Sequence, residues 1–190
     1  MAVNYESAMG EVIPGLWVGN LLSISKMLQI VHENGMETNL TIISVLSNRN
    51  MIRLVSDILE QDRLRQRDAN SNAIRIRHEV IQLKDVAESD LLSVLPDALM
   101  LIDDALGIRT TDNSGTDNST NDNNQKRICL VHCAQGASRS VSIVVAYLLS
   151  RHHVSKLEDA LQQVRRVRPL AEPNIGFLLA LQRFERTFVS

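Results

Sequence analysis

The sequence predicts a single α/β domain in three layers, a central and mostly parallel sheet flanked by helices. Three observations carry that prediction. Short runs rich in β-branched residues, TIISVL at 41–46 and ICLV at 128–131, suit buried strands. Between and after them, apolar residues recur at three- and four-residue spacing, the period of a helix with one buried face. Strands interleaved with helices pack as a parallel sheet covered on both sides, and 190 residues suffice for one sizeable core without a second domain.

In chain order, the strand at 41–46 is followed by DRLRQRDANSN at 62–72, charged and then polar, which reads as a helix end running into a surface insert. IRIRHEVIQL at 74–83 mixes alternation with a continuous apolar step and reads as a strand. The segment 89–106 sets Leu91, Leu95, Ala98, Leu99, Ile102 and Leu106 on one helical stripe, with Pro96 expected to bend that helix or to start a new one. Asp90 stands where a capping side chain belongs, and Asp103 and Asp104 read as a solvated face. RTTDNSGTDNSTNDNNQK at 109–126 holds almost no apolar residue, so a disordered surface insert is expected there. Its Asp/Asn pattern lacks the fixed Gly and closing Glu of a calcium loop. SVSIVVAYLLS at 140–150 is apolar nearly all round, as a buried helix is. Ser155 and Glu158 form the S-x-x-E of a capping box for a helix carrying Leu157, Leu161, Val164 and Val167, which Pro169 ends. Phe177, Leu181, Phe184 and Phe188 mark a final helical stripe.

Composition excludes several classes of function. A formal net charge of −2 gives no global attraction to nucleic acid or to an anionic membrane, so no nucleic-acid partner is expected. No apolar stretch is long enough to cross a bilayer, and the first residues lack the basic and apolar regions of a leader. An intracellular, cytoplasmic protein is expected, with no nuclear address visible. Cys129 and Cys133 on an extended segment stand roughly 13 Å apart, beyond disulfide reach. Free thiols in a reducing compartment fit better, and Cys129 reads as a small core residue. The His152-His153 pair reads as a polar helix terminus, and no metal or cofactor is expected.

The chemistry concentrates in HCAQGASR at 132–139, the turn between strand and buried helix. A turn feeding a helix N-terminus presents unpaired backbone N–H groups and the positive end of the helix dipole, an anion site. Gly136 lets the turn curl. The field that binds an anion also stabilises a thiolate at Cys133, while Arg139 can grip two oxygens of a phosphate held above it. Those parts suit displacement at phosphorus through a phosphocysteine, which needs a general acid for the leaving oxygen.

His132-Cys133-x-x-Gly136-x-x-Arg139-Ser140 resembles the signature of the cysteine-dependent protein tyrosine phosphatases, and the AYLL that follows resembles the dual-specificity branch. VIPGLWVGN at 12–20, QLKDVAESDL at 82–91 and RRVRPLAEPNIGFLLALQRFE at 165–185 are similar to that family's opening strand, general-acid stretch and closing region. The resemblance implies a protein tyrosine phosphatase-like fold and a metal-independent hydrolase acting on phosphotyrosine, with phosphoserine and phosphothreonine as further substrates. It implies Cys133 as nucleophile, Arg139 as phosphate binder, Asp85 as general acid and Ser140 as the hydroxyl that eases departure of the thiolate. His132 would order the loop, Asn174 would brace it, and Ala134, Gln135, Gly136, Ala137 and Ser138 would supply its phosphate-binding interior. Asp85 and Cys133 stand further apart than is usual in the family, and the insert at 109–126 accounts for the excess. Asp90 competes for the acid role, with helix capping as its simpler duty. No regulatory domain before Val12 and no zinc-binding tail after Phe188 is expected, and the oligomeric state stays open. A phosphopeptide-binding module with little turnover, a phosphatase of non-protein esters and a rhodanese-like sulfur carrier are the alternatives; the last gives no task to Asp85 or Ser140.

Overall fold

A computed structural model describes residues 8–68, 74–108 and 125–188. Five strands, β1 (Met9–Ile13), β2 (Leu16–Gly19), β3 (Thr38–Val45), β4 (Ile74–Ile81) and β5 (Lys126–His132), form one sheet in the order β1-β2-β5-β3-β4. The β1–β2 hairpin is antiparallel and every other pairing is parallel. The mostly parallel sheet is therefore as expected, with the antiparallel pair confined to one edge.

Alternation along the strands sorts side chains to two cores. Leu40 and Ile42 of β3 and Leu130 of β5 pack with α1 (Ser23–Asn34) and α2 (Arg49–Asp68) on one face. Ile43, Val45, Cys129 and Val131 pack on the other, against α3 (Leu91–Leu106), α4 (Arg139–Ser150), α5 (Leu157–Val167) and α6 (Ile175–Glu185). Helix α4 is buried along its length because these helices enclose it against the sheet, which explains its lack of a polar face. Parallel strands point their C-terminal ends to one edge of the sheet, and a crevice there is where α/β sheets bind ligands.

Four local expectations are corrected. Asp62 is buried, with Oδ1 2.7 Å from His32 Nε2, and α2 continues to Asp68; only 69–72 of the first predicted insert lies outside the described residues. Lys126 already belongs to β5, in register with Thr38, so of the second predicted insert 109–124 lies outside the described residues. Helix α3 runs through Pro96 from its Asp90 cap, whose side chain accepts from Ser93 N, so Pro96 starts no new helix. The capping box does not form, because α5 begins at Leu157 with Lys156 as its extended N-cap, one residue later than Ser155 would require. Glu185 Oε1 of α6 instead accepts from Leu157 N at 2.6 Å.

Candidate active site

The predicted turn stands at the C-terminal edge of the sheet, between His132 at the end of β5 and Arg139 at the start of α4. Cys133 is 1% exposed, and its Sγ accepts from Gly136 N at 3.2 Å and Ser140 Oγ at 3.3 Å. Its own N–H donates to Gly19 O of β2. Gly136 has φ +65°, and a Cβ there would meet the Gly19 carbonyl at 2.6 Å, so both backbone conformation and close approach require glycine.

The loop's polarity follows from what holds it outside. Arg168 Nε donates to Gly136 O at 2.9 Å, Arg168 Nη2 to Gln135 O at 2.7 Å, and Glu172 N to Ala137 O at 2.8 Å. In a trans peptide the C=O and the following N–H point in opposite directions. Three carbonyls turned toward 168–172 therefore turn the N–H groups of Gly136, Ala137 and Ser138 the other way, as the Gly136 bond to sulfur confirms. The result is a concave set of backbone donors over a sulfur atom, a nest suited to an anion. Arg168 is 3% exposed; burial lowers its pKa and Cys133 works in the opposite sense. Sequence reasoning gave this residue no role of its own, quoting it only within the closing segment 165–185.

Asp85 comes to the rim from the segment after β4. Its Oδ1 accepts from Ser138 Oγ at 2.7 Å and Asn174 Nδ2 at 2.9 Å, and its Oδ2 lies 3.4 Å from Arg139 Nε. Arg139 Nε is buried and makes no hydrogen bond, so this contact is an ion pair alone. Ser138, expected in the phosphate-binding interior, turns its hydroxyl to Asp85. Asn174 uses its carbonyl oxygen to cap α6 at Phe177 N, its amide on Asp85 and its backbone N–H on Ser138 Oγ. Gly176 fixes the segment's distance: a Cβ there would stand 1.9 Å from Ala87 O. Asp90 is occupied by its cap on α3. His132 is fully buried, and burial lowers its pKa to about 4. Cys129 is buried in β5, where desolvation pushes its thiol up.

This fold and loop agree with what comparison finds. Residues 36–187 match the family model described as dual specificity phosphatase, catalytic domain. The chain belongs to that family. Mouse dual specificity phosphatase 28 is 49% identical over 59 residues, 31% of this chain and 36% of that protein. Dual specificity protein phosphatase 1B of Arabidopsis thaliana is 36% identical over 110 residues, 58% of this chain and 55% of that one. These matches span about a third to a half of the relatives' lengths. The crystal structure of human DUSP28 superposes with a TM-score of 0.66 at 21% identity, covering 100% of both chains, and so shares the fold. The phosphatase-family match begins near β3, yet the hairpin before it supplies Gly19 to the dual-specificity phosphatase loop.

Proposed function

We propose that this domain hydrolyses phosphate monoesters of proteins, on tyrosine and also on serine and threonine, through a phosphocysteine on Cys133. The observation that carries the reading is the sulfur of Cys133 under inward-facing amides, with Arg139 and Asp85 at the rim. An incoming phosphate takes the place of Asp85 Oδ2 at Arg139, whose guanidinium then holds two phosphate oxygens. The Cys133 thiolate attacks phosphorus, a P–S bond forms, the P–O bond to the leaving group breaks, and protonated Asp85 gives its proton to the departing oxygen. Water then attacks phosphorus, Asp85 takes a proton from it, and the thiolate leaves with Ser140 and Gly136 donating to sulfur. Asn174 and Ser138 hold the carboxyl for both steps.

Exposed apolar side chains adjoin, in the chain, residues that touch the loop or its rim. Leu22 is 72% exposed, Val86 46% and Ile175 64%, and Val86 and Ile175 directly follow Asp85 and Asn174. Apolar side chains so placed suit an aromatic phosphoester on a protein better than a highly charged soluble phosphate. Two buried free thiols suit a reducing compartment, and we place the protein in the cytoplasm. The deciding experiment is hydrolysis of p-nitrophenyl phosphate and of phosphotyrosine, phosphoserine and phosphothreonine peptides in the presence of a chelator. Turnover that vanishes in Cys133→Ser, with phosphate trapped on sulfur in rapid-quench samples of the intact protein, is expected. Phosphopeptide binding without turnover by the reduced protein would replace the reading by a binding module.

A further inference from the structure

Behind the phosphate loop lies a polar chain that the chemistry above does not use. On the sheet face covered by α1 and α2, His132 Nε2 lies 2.6 Å from Ser44 Oγ, and the same oxygen lies 2.9 Å from His78 Nε2. Strand register explains the meeting. Ser44 is the partner of His132 across β3 and β5, so both side chains leave the same face, and His78 is the partner of Ile42, two residues earlier, so it reaches Ser44 diagonally. Ser44 and His132 are fully buried, while His78 is half-buried on the edge strand β4.

Counting hydrogens limits what this chain can do. A hydroxyl has one hydrogen, so with both rings neutral Ser44 donates to one Nε2 and accepts from the other. The Nδ1 of His132 is buried; the Cys133 backbone beside the ring favours its protonated form, but no contact at Nδ1 has hydrogen-bond geometry. An orphaned buried N–H is rarer than an under-used acceptor, so the neutral chain runs from His132 Nε2–H to Ser44 Oγ and from Ser44 O–H to His78 Nε2. Protonated His78 donates from both nitrogens. Ser44 must then accept from His78 and donate to His132, whose own hydrogen now sits on Nδ1, beside the Cys133 backbone. The balance is one proton gained by the pair: the charge rests on His78, and each intervening hydrogen shifts by one bond.

We propose that His78 is a positioning residue for the catalytic loop, its protonation selecting through Ser44 which nitrogen of His132 carries hydrogen and so the field at Cys133. The groups acting on His78 are Glu79 on its own strand, Arg63 on α2 and, across Ser44, His132 on β5. Burial lowers the pKa of His78, Arg63 pushes the same way, and Glu79 opposes both. On His132 burial dominates, the Cys133 backbone opposes it, and His78 and Arg139 add to the lowering. Protonation of His78 therefore falls below the ordinary histidine range.

The inference rests on Cys133 as the nucleophile, but its test does not need turnover. Ring-nitrogen NMR of the intact protein, titrated from about pH 8 to about pH 4.5, reads the tautomer of each histidine. His132 is expected to change from Nε2–H to Nδ1–H as His78 protonates, and in Ser44→Ala the two rings should titrate without that coupling. One tautomer of His132 at both ends of the His78 titration overturns the proposal. A second readout is the rate of Cys133 alkylation by iodoacetamide against pH. His78→Gln keeps an amide donor toward Ser44 but does not titrate, and should lose an inflection that the intact protein shows in that window. Superposable profiles overturn the proposal equally.

Discussion

Helix α4 sets an arginine against an aspartate at each end, and the two pairs differ in their hydrogen bonds and in which partner is exposed. At its C-terminal end Arg151 holds Asp103 through two hydrogen bonds, Nε to Oδ1 at 2.9 Å and Nη2 to Oδ2, and Tyr147 Oη adds a third at 3.1 Å. Asp103 is 2% exposed, and burial together with its charge pushes the Tyr147 phenol up. At the N-terminal end Arg139 and Asp85 meet at 3.4 Å without a hydrogen bond from Nε, and a third of the Asp85 side chain faces solvent. In the closed pair both Asp103 oxygens are engaged by hydrogen bonds. The open pair keeps an unsatisfied buried N–H, which a phosphate can satisfy on displacing the carboxylate. Residue type does not separate the two pairs; how far their hydrogen bonds are made does.

Substituting lysine at each arginine is the strongest way to break this comparison. Arg139→Lys loses planar two-point recognition, and kcat/KM for p-nitrophenyl phosphate should fall about a thousandfold with Tm nearly unchanged. Arg151→Lys should lower Tm and leave the kcat of the folded protein within about twofold. Equal kinetic losses in both variants would show that the two ends of α4 are not independent.

The aspartates sharpen it further. For Asp85→Asn, kcat on an alkyl phosphate should drop about a hundredfold, and less on a good leaving group that needs no proton. Asp103→Ala leaves Arg151 and Tyr147 without their shared acceptor, at a cost of about 3 kcal/mol. Calorimetry should then show a Tm lower by roughly 6–12 °C, with specific activity retained. A smaller effect is expected at Gly176, where alanine must push the Asp85 segment from α6. Gly176→Ala should reduce kcat about tenfold with little change in phosphate affinity; an unchanged kcat would show that the segment's distance from α6 does not matter.

What the sequence revealed divides along the range of the interaction. The phosphate loop was legible because strand, turn and helix are contiguous, so Cys133, Gly136 and Arg139 could be placed from local pattern alone. The parallel sheet was legible for the same reason, since periodicity is local. Asp103 was misread as solvated because its partners Tyr147 and Arg151 lie more than forty residues away on another helix. The cap of α5 was misread likewise: the nearby Ser155 and Glu158 looked sufficient, and the acceptor proved to be Glu185. Arg168 and the His78–Ser44–His132 chain escaped notice entirely. An arginine before a proline and a serine inside an apolar strand carry no local mark of what they touch. The sign that could have pointed to Arg168 is physical: a loop presenting its amides inward must have its carbonyls satisfied from outside.

The clamp on those carbonyls also sets when the site can exist. The contacts of Gly19 O with Cys133 N and of Arg168 with the carbonyls of Gln135 and Gly136 are all in place only once residue 168 has been made. Synthesis proceeds from the N-terminus, and non-local contacts form late because chain entropy opposes them. A ribosome-bound chain ending with α5 lacks Arg168, Glu172 and Asn174, the outer support of the loop, so the cradle around Cys133 stays unassembled. Assembly of the loop thus waits on the segment 168–174, and a product truncated before that segment is expected to show no phosphatase turnover.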